Sequence, residues 1–311
     1  VLFRSLIETA PAAATRRAAA LQLGEIIAGK PEEIGRLLTR LYPYTIHKKL
    51  ETRTAAGIAI EAMASNVDVI KAEPPKAPLR LETFDLEEVI RTHDPLFASD
   101  DKAKKRRQVE VVNDERVSAR VKASKRRRAK KEEEKETEDV HVSEVVDFNC
   151  DGWPFTSFCE KMMQNIFDPK WEVRHGAAIC LREVLKAQGN AVGIEWRYDL
   201  MLRLLSVISL DRFGDFISDT VIAPVRETCA QVIGIAAKRV DSHIVDFIKI
   251  VCQMYHLEDW EIKHGSLLIL KYTIAIVDQN VIRSIIDLIK PILIEALEDI
   301  GHDESVAVAA E

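Results

Sequence analysis

An all-α solenoid, a curved stack of helix pairs, is the fold this sequence predicts, and three observations carry the prediction. The 311 residues are 47% hydrophobic but only 6% aromatic, with 12 Gly and 11 Pro. A β protein needs more turn residues and aromatics, so the composition reads as helical. A second observation is a motif written twice, WEVRHGAAICL from Trp171 and WEIKHGSLLIL from Trp260. The third is that, aligned on its basic residue, the motif recurs along the chain: TRRAAALQLG at Arg16, TRTAAGIAIE at Arg53, VRETCAQVIG at Arg226 and, with the base lost, SVAVAAE at Val306. The bases of the intact pair are Arg174 and Lys263. Where nothing interrupts them, successive copies lie 37 to 52 residues apart, which brackets the ~40–47-residue period of HEAT and armadillo repeats.

Each copy reads as the second helix of a pair. Small residues three and four places past the base, then an aliphatic residue at seven, mark one closely packed helical face. Before the copies stand other amphipathic helices: PEEIGRLLTRLY, WPFTSFCEKMMQNIF, YDLMLRLLSVISL and SHIVDFIKIVCQMY. Start signals are plain, with Asp168-Pro169 before Trp171, Pro31 and Pro224 at helix starts, and Asp241 as a cap. The repeated base is expected to pair with a carboxylate in an adjacent repeat. His175 and His264 occupy repeat-defining positions with no second ligand at i+3 or i+4, so neither metal binding nor acid–base chemistry is expected there.

The second and third copies lie 121 residues apart, roughly 75–80 more than one repeat requires. The chain therefore divides into repeats 1 and 2 (1–66), an insertion (67–150) and repeats 3 to 6 (151–311). The insertion opens proline-rich with AEPPKAPLRLE, which reads as extended. TFDLEEVIRTHDPLFASDD follows, with Asp85 and Glu88 spaced as a capping box. A basic run (102–131) and EEEKETED come next, charged and expected to be disordered over 102–140. KKRR and KRRR within that run read as a nuclear-import signal.

Segment 79–101 is open to two readings, a solvated linker or a partner-binding segment. Apolar side chains interleaved with acids suit the groove of a basic, partly apolar surface. Such a segment would be disordered until bound. A second oddity is LDRFGDFISDTVIAPVRE (210–227), which lengthens one repeat. Its two phenylalanines, Phe213 and Phe216, either brace the helix that begins at Pro224 or mark an exposed contact.

Several classes of chemistry are missing. The sequence has no phosphate loop, nucleophile elbow, HExxH or dinucleotide-binding glycine fingerprint, so neither an enzyme mechanism nor a catalytic residue, cofactor, metal or small-molecule substrate is expected. Five cysteines never approach a CxxC spacing and read as reduced thiols of an intracellular protein. No uncharged run reaches the ~18 apolar residues of a membrane span. Arg4 and Glu8 argue against a signal peptide at the start. Both ends break off as if cut, so the chain is expected to be a piece of a longer one.

With these motifs laid out, the sequence resembles the amino-terminal HEAT region of the Swi/Snf-type ATPases that remove the TATA-binding protein (TBP) from DNA. The resemblance rests on RRAAALQLGEI, ETRTAAGIAIEAM, TFDLEEV…LFASDD, FDPKWEVRHGAAICLREVLKAQG, LDRFGDFISDTVIAPVRETCAQ and WEIKHGSLLILKY. Departures are the Lys at 263 and the lost base of the last copy. The resemblance implies a nuclear, TBP-gripping solenoid with a latch that mimics DNA on TBP's concave face. It places the ATPase motor far toward the carboxyl end. Carried onto this chain, the latch lies at about 79–101, with Phe84, Leu86, Ile90, Leu96 and Phe97 for apolar contacts and Glu87, Glu88 and Asp94 for charge. Asp211, Arg212, Phe213, Asp215 and Phe216 are the candidate loop on TBP's outer face. Promoter DNA would be met only indirectly, through TBP. Two competing expectations are a karyopherin-like transport adaptor, which would want acidic inner faces in every repeat, and direct nucleic-acid binding through 102–131.

Overall fold

A computed structural model describes residues 13–97, 146–212, 215–217, 220–240, 243–299 and 301–311, with the backbone alone at 13, 215–217 and 220–222. Expectations for 98–145, including the disorder of 102–140 and the import signal, lie outside the described residues. So do Phe213 and the Asp241 cap.

Among the described residues the motif copies form one row of helices: α1 (Ala13–Gly29), α3 (Leu50–Ala64), α6 (Trp171–Gln188), α8 (Pro224–Ala237), α10 (Trp260–Ile274) and α12 (Asp303–Ala310). Each packs on the next, and α3 packs directly on α6 across the insertion. Their first-helix partners are α2 (Ile34–Thr45), α5 (Thr156–Asn165), α7 (Ile194–Leu210), α9 (Ile244–Tyr255) and α11 (Gln279–Leu297). These pack respectively on α3, α6, α8, α10 and α12. The fold is thus an α-solenoid of HEAT type with a long insertion between its second and third repeats. A seven-residue helix, α4 (Leu86–Thr92), belongs to the insertion, and a two-stranded hairpin, β1 (Asp215–Ile217) with β2 (Thr220–Ile222), belongs to the long loop.

Small residues explain how closely the motif row stacks. Ala56, Ala59, Ala177, Ala178, Ala230 and Ala236 are fully buried. A Cβ on Gly176 would overlap the carbonyl oxygen of Thr45, and one on Gly265 would overlap the Ile208 side chain. Larger residues at those positions would hold neighbouring helices apart. Aromatic mass sits instead near the first helices, where Tyr42, Phe148 and Phe158 meet edge to face and Trp153 meets Trp196 the same way. Both geometries are favourable for ring quadrupoles.

Helix starts follow the sequence signals with one shift. Asp85 caps α4 by accepting from the Glu88 backbone N–H at 3.0 Å, and Pro224 opens α8. Asp168 accepts from Lys170 N–H at 2.8 Å, one turn ahead of α6, whose N-cap is Lys170.

Candidate protein-binding site

The motif base is the first side chain to follow, because it ties the insertion to the stack. Arg53 Nη1 donates to the carbonyls of His47 (2.7 Å) and Lys48 (2.8 Å), six and five residues upstream. Arg174 Nη1 repeats this on Asp168 (3.0 Å) and Pro169 (2.9 Å). The base therefore clamps the turn that leads into its own helix. Its other arm reaches the next repeat. Arg53 Nη2 meets His175 Nδ1 at 3.2 Å, and its guanidinium lies 4.8 Å from the Trp171 ring centroid. Arg226 sits likewise over Trp260, at 5.6 Å. Trp and His, four apart on one helix face, are thus the receptor for the preceding repeat's arginine, which is why they are written together.

Burial has predictable electrostatic effects on these groups. It lowers the Arg53 pKa to about 10 and, aided by the facing Arg53, the His175 pKa to about 3. His264 is lowered to about 3 by burial and then by Arg226. Imidazoles kept neutral by burial beside an arginine are poor general bases, and no metal-binding cluster occurs among the described residues.

The expected carboxylate in an adjacent repeat exists for Arg174, in Asp211, and at 3.8 Å for Lys263, in the exposed Glu295, while Arg226 takes the same Asp211 within its own repeat. Asp211, fully buried, accepts from Arg174 Nη2 at 2.9 Å and faces Arg226 Nη1 at 3.5 Å. Its own carbonyl accepts from Arg226 Nη1 at 3.0 Å. The expectation fails for Arg53, which takes carbonyls and a histidine. Asp211 and Arg212 therefore need correction as partner-facing loop residues. Asp211 is 0% exposed and Arg212 9%, with Arg212 donating to Ser209 O at 2.8 Å and pairing with Asp259 at 2.7 Å. Both brace the loop because a buried charge is stable only when it is paired. Asp215 and Phe216 lie on β1, opposite Ile222 and Val221.

The insertion reaches this same hub. From Lys71 onward the chain runs along α7 as a strap. Lys71 Nζ donates to Asn190 O at 2.8 Å, Ala72 N–H to Ala191 O at 2.9 Å, and Leu79 N–H to Asp199 Oδ1 at 2.8 Å. At its far end Leu96 N–H donates to Leu210 O (2.7 Å), Arg212 N–H to Leu96 O (2.8 Å), and Arg174 Nη2 to Phe97 O (3.2 Å). Segment 79–97 is therefore ordered on the solenoid, which corrects the expectation of disorder until binding. Periodicity cannot reveal such pairing, because the groups involved are backbone or belong to distant repeats. Asp199 gave no signal either, because the sequence already offers it Arg203 four residues on, which donates to it at 3.0 Å.

The candidate latch residues divide between the strap's two faces. Leu86 is buried, while Phe84, Ile90 and Leu96 are half-buried against the core and Phe97 is half-buried. Glu87, Glu88 and Asp94 face solvent with Glu82 and Asp85. Between these ties an open recess of about 710 Å³ lies between strap and α7, lined by Phe84, Val89, Phe167 and Leu210 among others. The strap thus offers an acidic outer face and an apolar inner face that α7 only partly fills.

Comparison with known proteins fits this architecture. No family model matches the chain. It is 28% identical to TATA-binding protein-associated factor 172 of Homo sapiens over 98% of its own length and 24% of that protein's. Against TATA-binding protein-associated factor BTAF1 of Arabidopsis thaliana it is 46% identical over 118 residues, 38% of this chain and 6% of that one. Factor mot1 of Aspergillus fumigatus is 35% identical over 51% of this chain and 10% of its own. The chain spans about a quarter or less of the length of these relatives. Its fold is similar, with a TM-score of 0.54, to the Mot1 N-terminal domain solved in complex with TBP, at 16% identity over 87% of this chain and 32% of that one.

Proposed function

We infer that this chain, which belongs with the amino-terminal HEAT-repeat region of the Mot1-type TATA-binding protein-associated factors, is a TBP-binding scaffold. Similarity over nearly its whole length to proteins named for that association carries the reading, and the likeness in fold to a domain crystallised with TBP supports it. The solenoid grips TBP. The strap acts as a latch whose carboxylates replace phosphates and whose apolar residues cover what bases cover on a minor-groove-binding surface. For Phe84, Leu86, Ile90, Leu96 and Phe97 to reach TBP, the strap must leave α7, giving up its hydrogen bonds at Leu79, Leu96 and Phe97 and the burial of Leu86. Glu87, Glu88 and Asp94 are available without release. Phe216 and Asp215 extend the grip at the hairpin. By itself the chain hydrolyses no ATP, the motor belonging elsewhere in the longer protein, and it works in the nucleus.

Gel filtration with recombinant TBP, with and without a TATA duplex, tests this directly. Co-elution with TBP is expected, and its absence would sink the reading. Deleting 79–101 should leave TBP bound while letting the duplex remain alongside. Loss of TBP binding, or undiminished competition with DNA, would remove the latch assignment. Phe216→Ala should weaken the complex without moving the thermal midpoint, whereas a large drop in the midpoint would make the loop a brace.

A further inference from the structure

On the edge of the stack where motif helices end, a recess of about 400 Å³ opens between the ends of α6, α8 and α10. Among the described residues lining it are Lys186, Arg197, Lys238 and Arg239, and none carries a carboxylate. Lys186 is offset by Glu183 at 2.8 Å. Arg197 is 3% exposed, and its guanidinium donates only to carbonyls, Ala236 O at 3.0 Å and Gly189 O. Burial, then the like charge of Arg239, lowers its pKa. Lys238 and Arg239 are exposed.

A bland account is available: cations gather at helix C-termini to meet the negative end of the dipole. The magnitudes decide against it as a full account. Three helix ends supply about 0.5 of a negative charge each, roughly 1.5 in all, against three whole cations with no acid paired to them among the described residues. A positive surplus remains, concentrated in a concave site where low-dielectric walls focus the field. Tyr272, the aromatic residue of the lining, has its hydroxyl held by Glu227 and Gln231, and no stacking platform for unpaired bases is built around it. Chain-like phosphate is the chemistry that such a surplus recognises, and a duplex supplies it without needing stacked bases.

We propose that this recess holds the phosphate backbone of duplex DNA, independently of sequence. The choice of duplex DNA over an acidic peptide rests on the reading above, since a chain that grips a DNA-bound protein works beside a duplex. The test omits TBP from every arm, so its outcome stands apart from TBP binding. A labelled 20-bp duplex of arbitrary sequence is titrated with the full chain by fluorescence anisotropy from low to moderate salt. Lys238→Gln/Arg239→Gln should keep its thermal midpoint and lower the slope of log K against log salt by about 1.8, at ~0.9 for each phosphate no longer neutralised. The charge-matched control Lys30→Gln/Lys76→Gln, at exposed sites outside the recess, should lower it much less. Equal drops in both variants, or no drop in the first, would overturn the proposal. So would a loss confined to a labelled polyglutamate probe, which would assign the recess to acidic protein segments.

Discussion

Asp211 ties two motif arginines and the strap together at one buried residue. Two fully buried guanidiniums converge on its carboxylate, and its backbone pairs with the strap's Leu96 in parallel register. Removing one partner of a buried ion pair strands the other charge, at a cost of about 3–5 kcal/mol. Asp211→Asn should therefore lower the urea-derived unfolding free energy by an amount in that range, and a loss under ~1 kcal/mol would mean that the hub is not what holds Arg174 and Arg226. The two motif histidines make a pH prediction at the same scale. Both are held near 3 when folded against about 6.5 unfolded. Between those values the unfolded chain binds the extra protons, so stability is complete above about 6.5 and falls as pH drops toward 3. Each histidine contributes up to about 1.4 kcal/mol per pH unit in that window. His175→Gln should flatten the profile of urea-derived stability between pH 6 and 4 relative to the parent, and an unchanged slope would mean that the imidazole is already protonated in the fold.

Helices here are set by how closely they approach, and glycine marks the closest approach. At Gly176 on α6 an added methyl would collide with the backbone carbonyl of Thr45, whereas at Gly29, the last residue of α1, it would meet nothing within 4 Å. Backbone cannot swing aside as a long side chain can, so Gly176→Ala should cost at least the 1–3 kcal/mol typical of overpacking. Gly29→Ala should be neutral or raise stability by up to about 1 kcal/mol through a stiffer unfolded chain. Calorimetry of the two variants side by side checks both, and similar effects would count against the close approach of α6 to the end of α2 as described. The arginine clamp has an element-level meaning as well. By tying its own turn with one arm and the next helix with the other, it fixes the angle between successive repeats.

Over the whole molecule, each repeat contacts chiefly its neighbours, from α1 through α12, so no central core exists to draw the ends together. Small-angle scattering should give a radius of gyration well above the ~19–20 Å of a globule of this length, and a value in that range would contradict the stack. An elongated frame also explains why a long insertion is tolerated. Its ends need only meet two adjacent repeats, and loop-closure entropy grows slowly with length.

The period, the helical class, the interruption and the small-residue face were all legible in the sequence, because they are local patterns that recur. The cap at Asp85 and the helix start at Pro224 were legible for the same reason. Sequence could also say that Trp, base, His and Gly belong to one device, since they are written together twice. It could not say which partner each base would take: Arg53 found His175, Arg174 and Arg226 found one shared aspartate, and Lys263 turned to Glu295. Nor could it say that the acidic, apolar segment 79–97 would lie along α7, or that Asp211 and Arg212 would face inward. Those outcomes depend on which distant backbone carbonyls and side chains the stacking brings within about 3 Å. Periodicity specifies the face a residue occupies, while the identity of what meets that face exists only once the repeats are stacked.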